Sequence, residues 1–176
     1  MAQSHLSEQQ NIALETEHKI AQKRAGFATN PAPLLVSQYE RIAREQMCEL
    51  PFYHPGMPVL AECDLYEEQW LGVALTPWML SVVVLPGPDQ CWPDRGNERI
   101  ALALPCGNLT FMVGDLPETG QLLSCSLMSP LDPHLDGKEG AALVSAVLKM
   151  LLSLPIKQGE GTVDLGRRRL FGATTR

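Results

Sequence analysis

The sequence predicts an α+β fold: a single domain with one antiparallel β-sheet of about five or six strands, and an N-terminal and a C-terminal helix packed on one face. Three observations carry that reading. Apolar residues recur at helical spacing near residues 35–50 and again near 143–154. Between these stretches lie short apolar segments, several of them alternating, separated by prolines and glycines. No helical pattern interrupts this middle region, so neighbouring strands join through short connections and pair antiparallel, as a meander or a close relative.

In chain order, residues 1–30 form a polar arm expected to be mobile, because Leu6, Ile12, Leu14 and Ile20 make no continuous stripe. The domain is expected over residues 31–176. Leu35, Tyr39, Ile42, Ala43, Met47 and Leu50 repeat at helical spacing after Pro31 and Pro33, and Pro51 stops that helix. The expected strands cover Val59–Tyr66, Trp70–Leu75, Met79–Leu85, Arg99–Leu104, Asn108–Val113 and Gln121–Met128. Their boundaries are Pro77, the Pro86-Gly87-Pro88 turn, Pro105, Gly114 with Pro117, and Pro130. Ile100, Leu102 and Leu104 oppose Ala101 and Ala103, while Leu109, Phe111 and Val113 oppose Thr110 and Met112. Asp136 and Glu139 have capping-box spacing before a final helix. Its stripe is Leu143, Val147, Met150, Leu151 and Leu154, widened by Val144, Leu148 and Leu152 and closed by Pro155.

Composition bounds the function. The chain has 176 residues, 45% hydrophobic and 19% charged, as in one globular domain. No segment approaches the roughly 20 apolar residues of a membrane helix, so no membrane insertion is expected. Ser4–Gln10 is polar, with no signal core, so a cytoplasmic location is expected. A net charge of -6 argues against nucleic acid as a partner and suits a partner with basic segments. The five cysteines (Cys48, Cys63, Cys91, Cys106, Cys125) form no CxxC pair and the four histidines are scattered, so neither a metal nor another cofactor is indicated.

No catalytic constellation is legible. Cys125 alternates with leucines in a strand and reads as a packing residue. Cys91, flanked by Asp89, Gln90 and Trp92, is the better reactive candidate, but no neighbouring cation favours its thiolate. His54 stands among turn formers, and the glycines make neither a P-loop nor a dinucleotide fingerprint.

Binding features are clearer. Residues 76–93, TPWMLSVVVLPGPDQCWP, place Trp78, Trp92, Pro86, Gly87, Pro88, Asp89 and Gln90 around one strand. Rigid loops with aromatic residues suit protein contacts, while the same tryptophans could instead cap the core. Glu62, Asp64, Glu67 and Glu68 make an acidic run, either a solvated hairpin or a surface for the basic start of a peptide. Near the C-terminus, Arg167, Arg168 and Arg169 precede Leu170 and Phe171. The apolar pair is expected to enter the core, with the arginines free to meet carboxylates.

At these residues the chain resembles the HybE family of nickel–iron hydrogenase assembly chaperones. FYHPGMPV (52–59), residues 76–93, LPCGNLTFMV (104–113), LSCSLMSPL (123–131) and GRRRLFG (166–172) keep the family's order. The resemblance implies a cofactor-free, non-enzymatic protein that binds the precursor of the large, nickel-carrying hydrogenase subunit. It also implies a second partner, the small subunit with its twin-arginine signal peptide, whose export would be delayed until cofactor insertion and subunit pairing. The rubredoxin-type domain fused to some relatives is missing, since its paired CxxC motifs are not here. The alternative is a redox-responsive maturation factor that protects hydrogenase metal centres from oxygen through Cys91 or Cys125. A third reading, a small-molecule module using the sheet face, has no specific motif behind it.

Overall fold

A computed structural model describes residues 26–153. The arm up to residue 25, Leu154 and Pro155 of the final stripe, and the segment with Arg167, Arg168, Arg169, Leu170 and Phe171 lie outside the described residues.

Helix α1 spans Ala32–Ile42 and continues as a wider π-helical turn over Ala43–Met47. The Asn30 side-chain oxygen accepts the Ala32 N–H at 2.9 Å, relieving one of the unpaired donors that open a helix. Ala32, Leu35, Gln38 and Tyr39, at three- and four-residue intervals, are the buried stripe. The expected stripe extended to Leu50, which is instead 36% exposed. The π turn takes up more residues per turn and rotates later positions off the buried line, and Pro51 steers its predecessor out of helical geometry.

Six strands follow: β1 Leu60–Tyr66, β2 Gln69–Thr76, β3 Met79–Leu85, β4 Arg99–Leu104, β5 Gly107–Leu116 and β6 Gly120–Met128. Helix α2 spans Gly137–Ser153. Its start is a reciprocal capping box: Asp136 Oδ1 accepts the Lys138 and Glu139 N–H groups at 2.8 Å, and Glu139 Oε2 accepts the Asp136 N–H at 3.0 Å. The strands form one antiparallel sheet in the order β1-β2-β3-β6-β5-β4. It is two three-stranded meanders joined where β3 pairs β6, so residues 86–98 must carry the chain from the sheet centre to its far edge.

The α+β class, the sheet and the two helices are as the sequence indicates, but the helices lie on opposite faces rather than one. Side-chain alternation assigns the faces. Leu71, Val73, Leu75, Leu80, Val82 and Val84 share a cluster with Val144, Leu148 and Leu151 of α2. Their strand neighbours Ala74, Val83 and Leu85 share another with Leu35, Tyr39 and Ala43 of α1. Strands β2 and β3 are therefore buried on both sides, which is why MLSVVVL (79–85) is almost continuously apolar. Over β4 and residues 107–113 of β5 only the α2 side is covered, while Leu116 at the end of β5 packs on the α1 side. Ile100, Leu104, Phe111 and Val113 are buried there, whereas Ala101, Ala103, Thr110 and Met112 are exposed.

Candidate functional site

Both tryptophans expected at a partner surface are inside the protein. The β2–β3 hairpin turns through Pro77 and Trp78, and Thr76 Oγ1 accepts the N–H groups of Trp78 and Met79 at 3.4 and 3.1 Å. This folds the Trp78 indole under α1, where it meets Tyr39 edge-on with ring centroids 6.3 Å apart. Trp92 is 2% exposed within the α2-side cluster, and its Nε1–H donates to Gln90 Oε1 at 3.0 Å. The core-capping alternative therefore holds for both, because an indole with so little accessible surface has little to offer a partner in this conformation.

What remains of that segment is a rigid loop. Gln90 organises it: its N–H donates to the Gly87 carbonyl at 3.1 Å, and its side-chain oxygen accepts the Gly87 N–H at 3.2 Å. Pro86 and Gly87 are buried, Pro88, Asp89 and Cys91 are exposed, and Gln90 is half-buried. The loop is clamped between two other pieces of chain. On one side the Gly26 and Phe27 N–H groups donate to the carbonyls of Gln90 and Pro86 at 2.7 and 3.1 Å. The Trp70 indole N–H then donates to the Phe27 carbonyl at 2.9 Å. On the other side lies the β1–β2 hairpin. A Cβ on Gly87 would come within 1.6 Å of the Glu68 carbonyl oxygen, and one on Gly26 equally close to the Gly87 oxygen, so the three backbones stack without room for side chains.

The acidic run is only partly gathered here. Glu67 and Glu68 form the two-residue turn between Tyr66 and Gln69, at φ 46° and 65°. Both therefore occupy the left-handed region that such hairpins require and that Asn-Gly usually supplies. Their side chains are exposed beside the loop bearing exposed Asp89. Asp64 is exposed two residues before Tyr66, whereas Glu62 is further along β1 and accepts a hydrogen bond from Ser145 of α2. Neither the Arg41–Glu118 nor the Arg95–Glu98 ion pair involves these carboxylates.

Sequence reasoning did not anticipate the docking of Gly26 and Phe27, nor the left-handed Glu-Glu turn. It also missed exposed Phe52, which with Leu50 flanks Pro51 after the π turn. Of the cysteines, Cys63 is buried under Gly72, and burial, helped by the Asp64 carboxylate, pushes its thiol up to about 12. Burial also raises the Cys125 thiol, which lowers its thiolate fraction and works against a redox role. Cys48 and Cys91 are exposed, and Cys48 donates through Sγ to the Arg44 carbonyl. His54 is held in its turn by its backbone, whose N–H donates to the Pro77 carbonyl at 2.7 Å. Among the described residues no group of three or more His, Cys, Asp and Glu side chains is placed to hold a metal ion. Nor is any described helix long and apolar enough to cross a membrane.

Residues 30–173 match the family model described as NiFe-hydrogenase assembly, chaperone, HybE. The hydrogenase-2 operon protein HybE of Escherichia coli is 47% identical over 149 residues, 84% of this chain and 91% of that protein. The hydrogenase expression/formation protein HoxT of Azotobacter vinelandii is 31% identical over 140 residues, 77% of this chain and 91% of its own. The solution structure of HybE from Escherichia coli superposes with a TM-score of 0.64 at 45% identity, covering 86% of this chain and 95% of that one.

Proposed function

The chain belongs to the HybE family of nickel–iron hydrogenase assembly chaperones, and on that premise we propose that it binds hydrogenase subunit precursors in the cytoplasm. The clients are the large, nickel-carrying subunit, the small subunit with its twin-arginine signal, or both. Binding delays export until the metal centres are inserted and the subunits have paired. The protein works by contact rather than catalysis.

The observation that supports this reading best is the acidic hairpin end. Glu67 and Glu68 stand at exposed, left-handed positions against a loop fixed by Pro86, Gln90 and the Gly26–Phe27 segment, which also carries exposed Asp89. A preordered acidic rim loses little entropy on binding and attracts paired arginines. In this reading Glu67, Glu68, Asp64 and Asp89 meet the signal peptide, and Glu62, engaged with Ser145, is secondary. Pro86, Gly87, Pro88 and Gln90 keep the rim rigid. Arg167, Arg168 and Arg169 are a further contact for an acidic client surface.

The test is affinity purification of the full chain from cells making a nickel–iron hydrogenase, with mass spectrometry of what co-purifies. Unprocessed subunits are the expected catch. Recovery of mature, fully assembled hydrogenase alone, with no precursor at any stage of induction, refutes the reading.

A further inference from the structure

The two edges of the sheet are treated very differently. At β1, the outward-facing Cys63 carbonyl accepts a hydrogen bond from the Asn30 side-chain amide at 2.8 Å. The strand also carries Glu62 and Asp64, and both helices pack against it. Caps, charges and covering elements of this kind keep an edge from pairing with another chain.

Strand β4, the other edge, has no such side-chain cap among the described residues and is less charged. Its six residues run in unbroken register against β5, with neither bulge nor proline, and Arg99 is its one charge. The Val113 N–H donates to the Glu98 carbonyl at 2.9 Å, and Glu98 and Val113 continue the β4–β5 register by one pair. Hydrogen-bonded and non-hydrogen-bonded pairs alternate along an antiparallel ladder. Ile100, Leu102 and Leu104 therefore bond inward to β5, and Arg99, Ala101 and Ala103 direct their N–H and C=O groups outward. The core is also unfinished at this margin: Leu102, Leu109 and Cys106 pack against it but are only half-buried. On the opposite face the exposed Ala101 and Ala103 leave room for larger neighbours.

We propose that the outer edge of β4 docks an extended segment of a hydrogenase subunit precursor, which adds a strand to the sheet. The segment carries apolar side chains at every second position, beside Leu102, and its backbone pairs with Arg99, Ala101 and Ala103. This mode of recognition draws affinity from main-chain hydrogen bonds and specificity from alternate side chains. An unassembled subunit, with segments not yet buried against their partner, supplies such a strand. The inference rests on the chaperone reading above and specifies the contact.

The test uses the full chain as wild type, Ala101→Pro and Ala101→Val, titrated with purified subunit precursor, together with amide hydrogen exchange of the wild type. Proline at 101 deletes an outward N–H without touching the β5 ladder, a placement that edge strands tolerate. Valine keeps the N–H. The expected result is wild-type affinity for Ala101→Val and affinity at least about tenfold weaker for Ala101→Pro, the scale of one lost strand-pair bond and its disturbed neighbours. In the wild type, the Ala101 and Ala103 amides should exchange quickly in the free protein and slowly with precursor.

Equal binding by a folded Ala101→Pro overturns the edge proposal while leaving the chaperone reading intact. Slow exchange at 101 and 103 in the free monomer means the chain covers its own edge, and also overturns it. So does a wild-type dimer that Ala101→Pro converts to a monomer with unchanged precursor binding, since the edge then serves a second copy. If Ala101→Pro does not fold, the exchange data decide alone. A wild type that binds no precursor in any form defeats the chaperone reading itself.

Discussion

The Glu67-Glu68 turn separates function from stability in one experiment. Both residues hold the left-handed conformation, at φ 46° and 65°. That conformation costs an L-residue with a Cβ about 1–2 kcal/mol. Glycine is free of this cost but gains freedom in the unfolded chain, so Glu68→Gly should stabilise the protein by about 1 kcal/mol net. For a domain of this size that raises Tm by about 2–4 °C. The double variant Glu67→Gln, Glu68→Gln keeps the strained backbone and removes only charge, so its Tm should stay close to wild type.

Binding should respond in the opposite sense. Exposed charge contacts contribute about 0.2–1 kcal/mol each, so the double glutamine variant should bind an arginine-paired signal peptide about two- to thirtyfold more weakly. The difference should shrink as salt rises, because exposed charges are screened beyond about 8 Å at physiological ionic strength. Differential scanning calorimetry and fluorescence anisotropy at two salt concentrations read both quantities. Unchanged, salt-independent affinity in the glutamine variant refutes the acidic-rim assignment, and a lower Tm for Glu68→Gly refutes the strain argument.

Trp78→Ala and Trp92→Ala should each destabilise the protein by about 3 kcal/mol or more in denaturant unfolding, and bind precursor normally wherever they remain folded, since both indoles are buried. Gly87→Ala should cost about 2 kcal/mol or more in thermal unfolding, because its Cβ would meet the Glu68 carbonyl oxygen at 1.6 Å and backbone must move. Native-state thiol labelling should modify Cys48 and Cys91 quickly and Cys63 only on unfolding. Burial raises the Cys63 thiol from 9.0 to about 12, so the folded state holds that proton more tightly than the unfolded state. Its contribution to stability is complete below pH 9.0 and is lost as pH rises toward about 12. Cys63→Ala should therefore flatten alkaline unfolding over that window.

The strands were legible because each signal was local. Pro77, Pro105 and the Pro86-Gly87-Pro88 stretch fall in turns or loops beside strand ends, and the Ile100–Leu104 and Leu109–Val113 alternation matches the observed burial. Asp136 and Glu139 marked the start of α2 for the same reason. The placement of the helices was not local. A helical stripe shows that a helix is covered, but not which side of the sheet covers it. The distinguishing signal was in the strands: seven nearly unbroken apolar or small residues in β3, against clear alternation in β4, mark a strand buried on both faces.

The candidate site was harder to read for a related reason. Tryptophans flanking a strand are compatible with core and surface alike, and only the fold, bringing Tyr39 of α1 over Trp78, decides between them. The acidic residues were visible as a run, but alternation divides them: Glu62 and Asp64 point from the α2 side of β1, while Glu67 and Glu68 cap its end. Nor did Glu-Glu announce a tight hairpin, since the usual signal is Asn-Gly. Here the strand pairing of Tyr66 with Gln69 imposes the left-handed turn on residues that disfavour it. A conformational cost that local sequence would avoid, at two adjacent exposed carboxylates, fits a role for charge at that position better than a role in stability. The Glu68→Gly comparison makes that distinction measurable, because a turn serving only the fold should gain from glycine and lose nothing else.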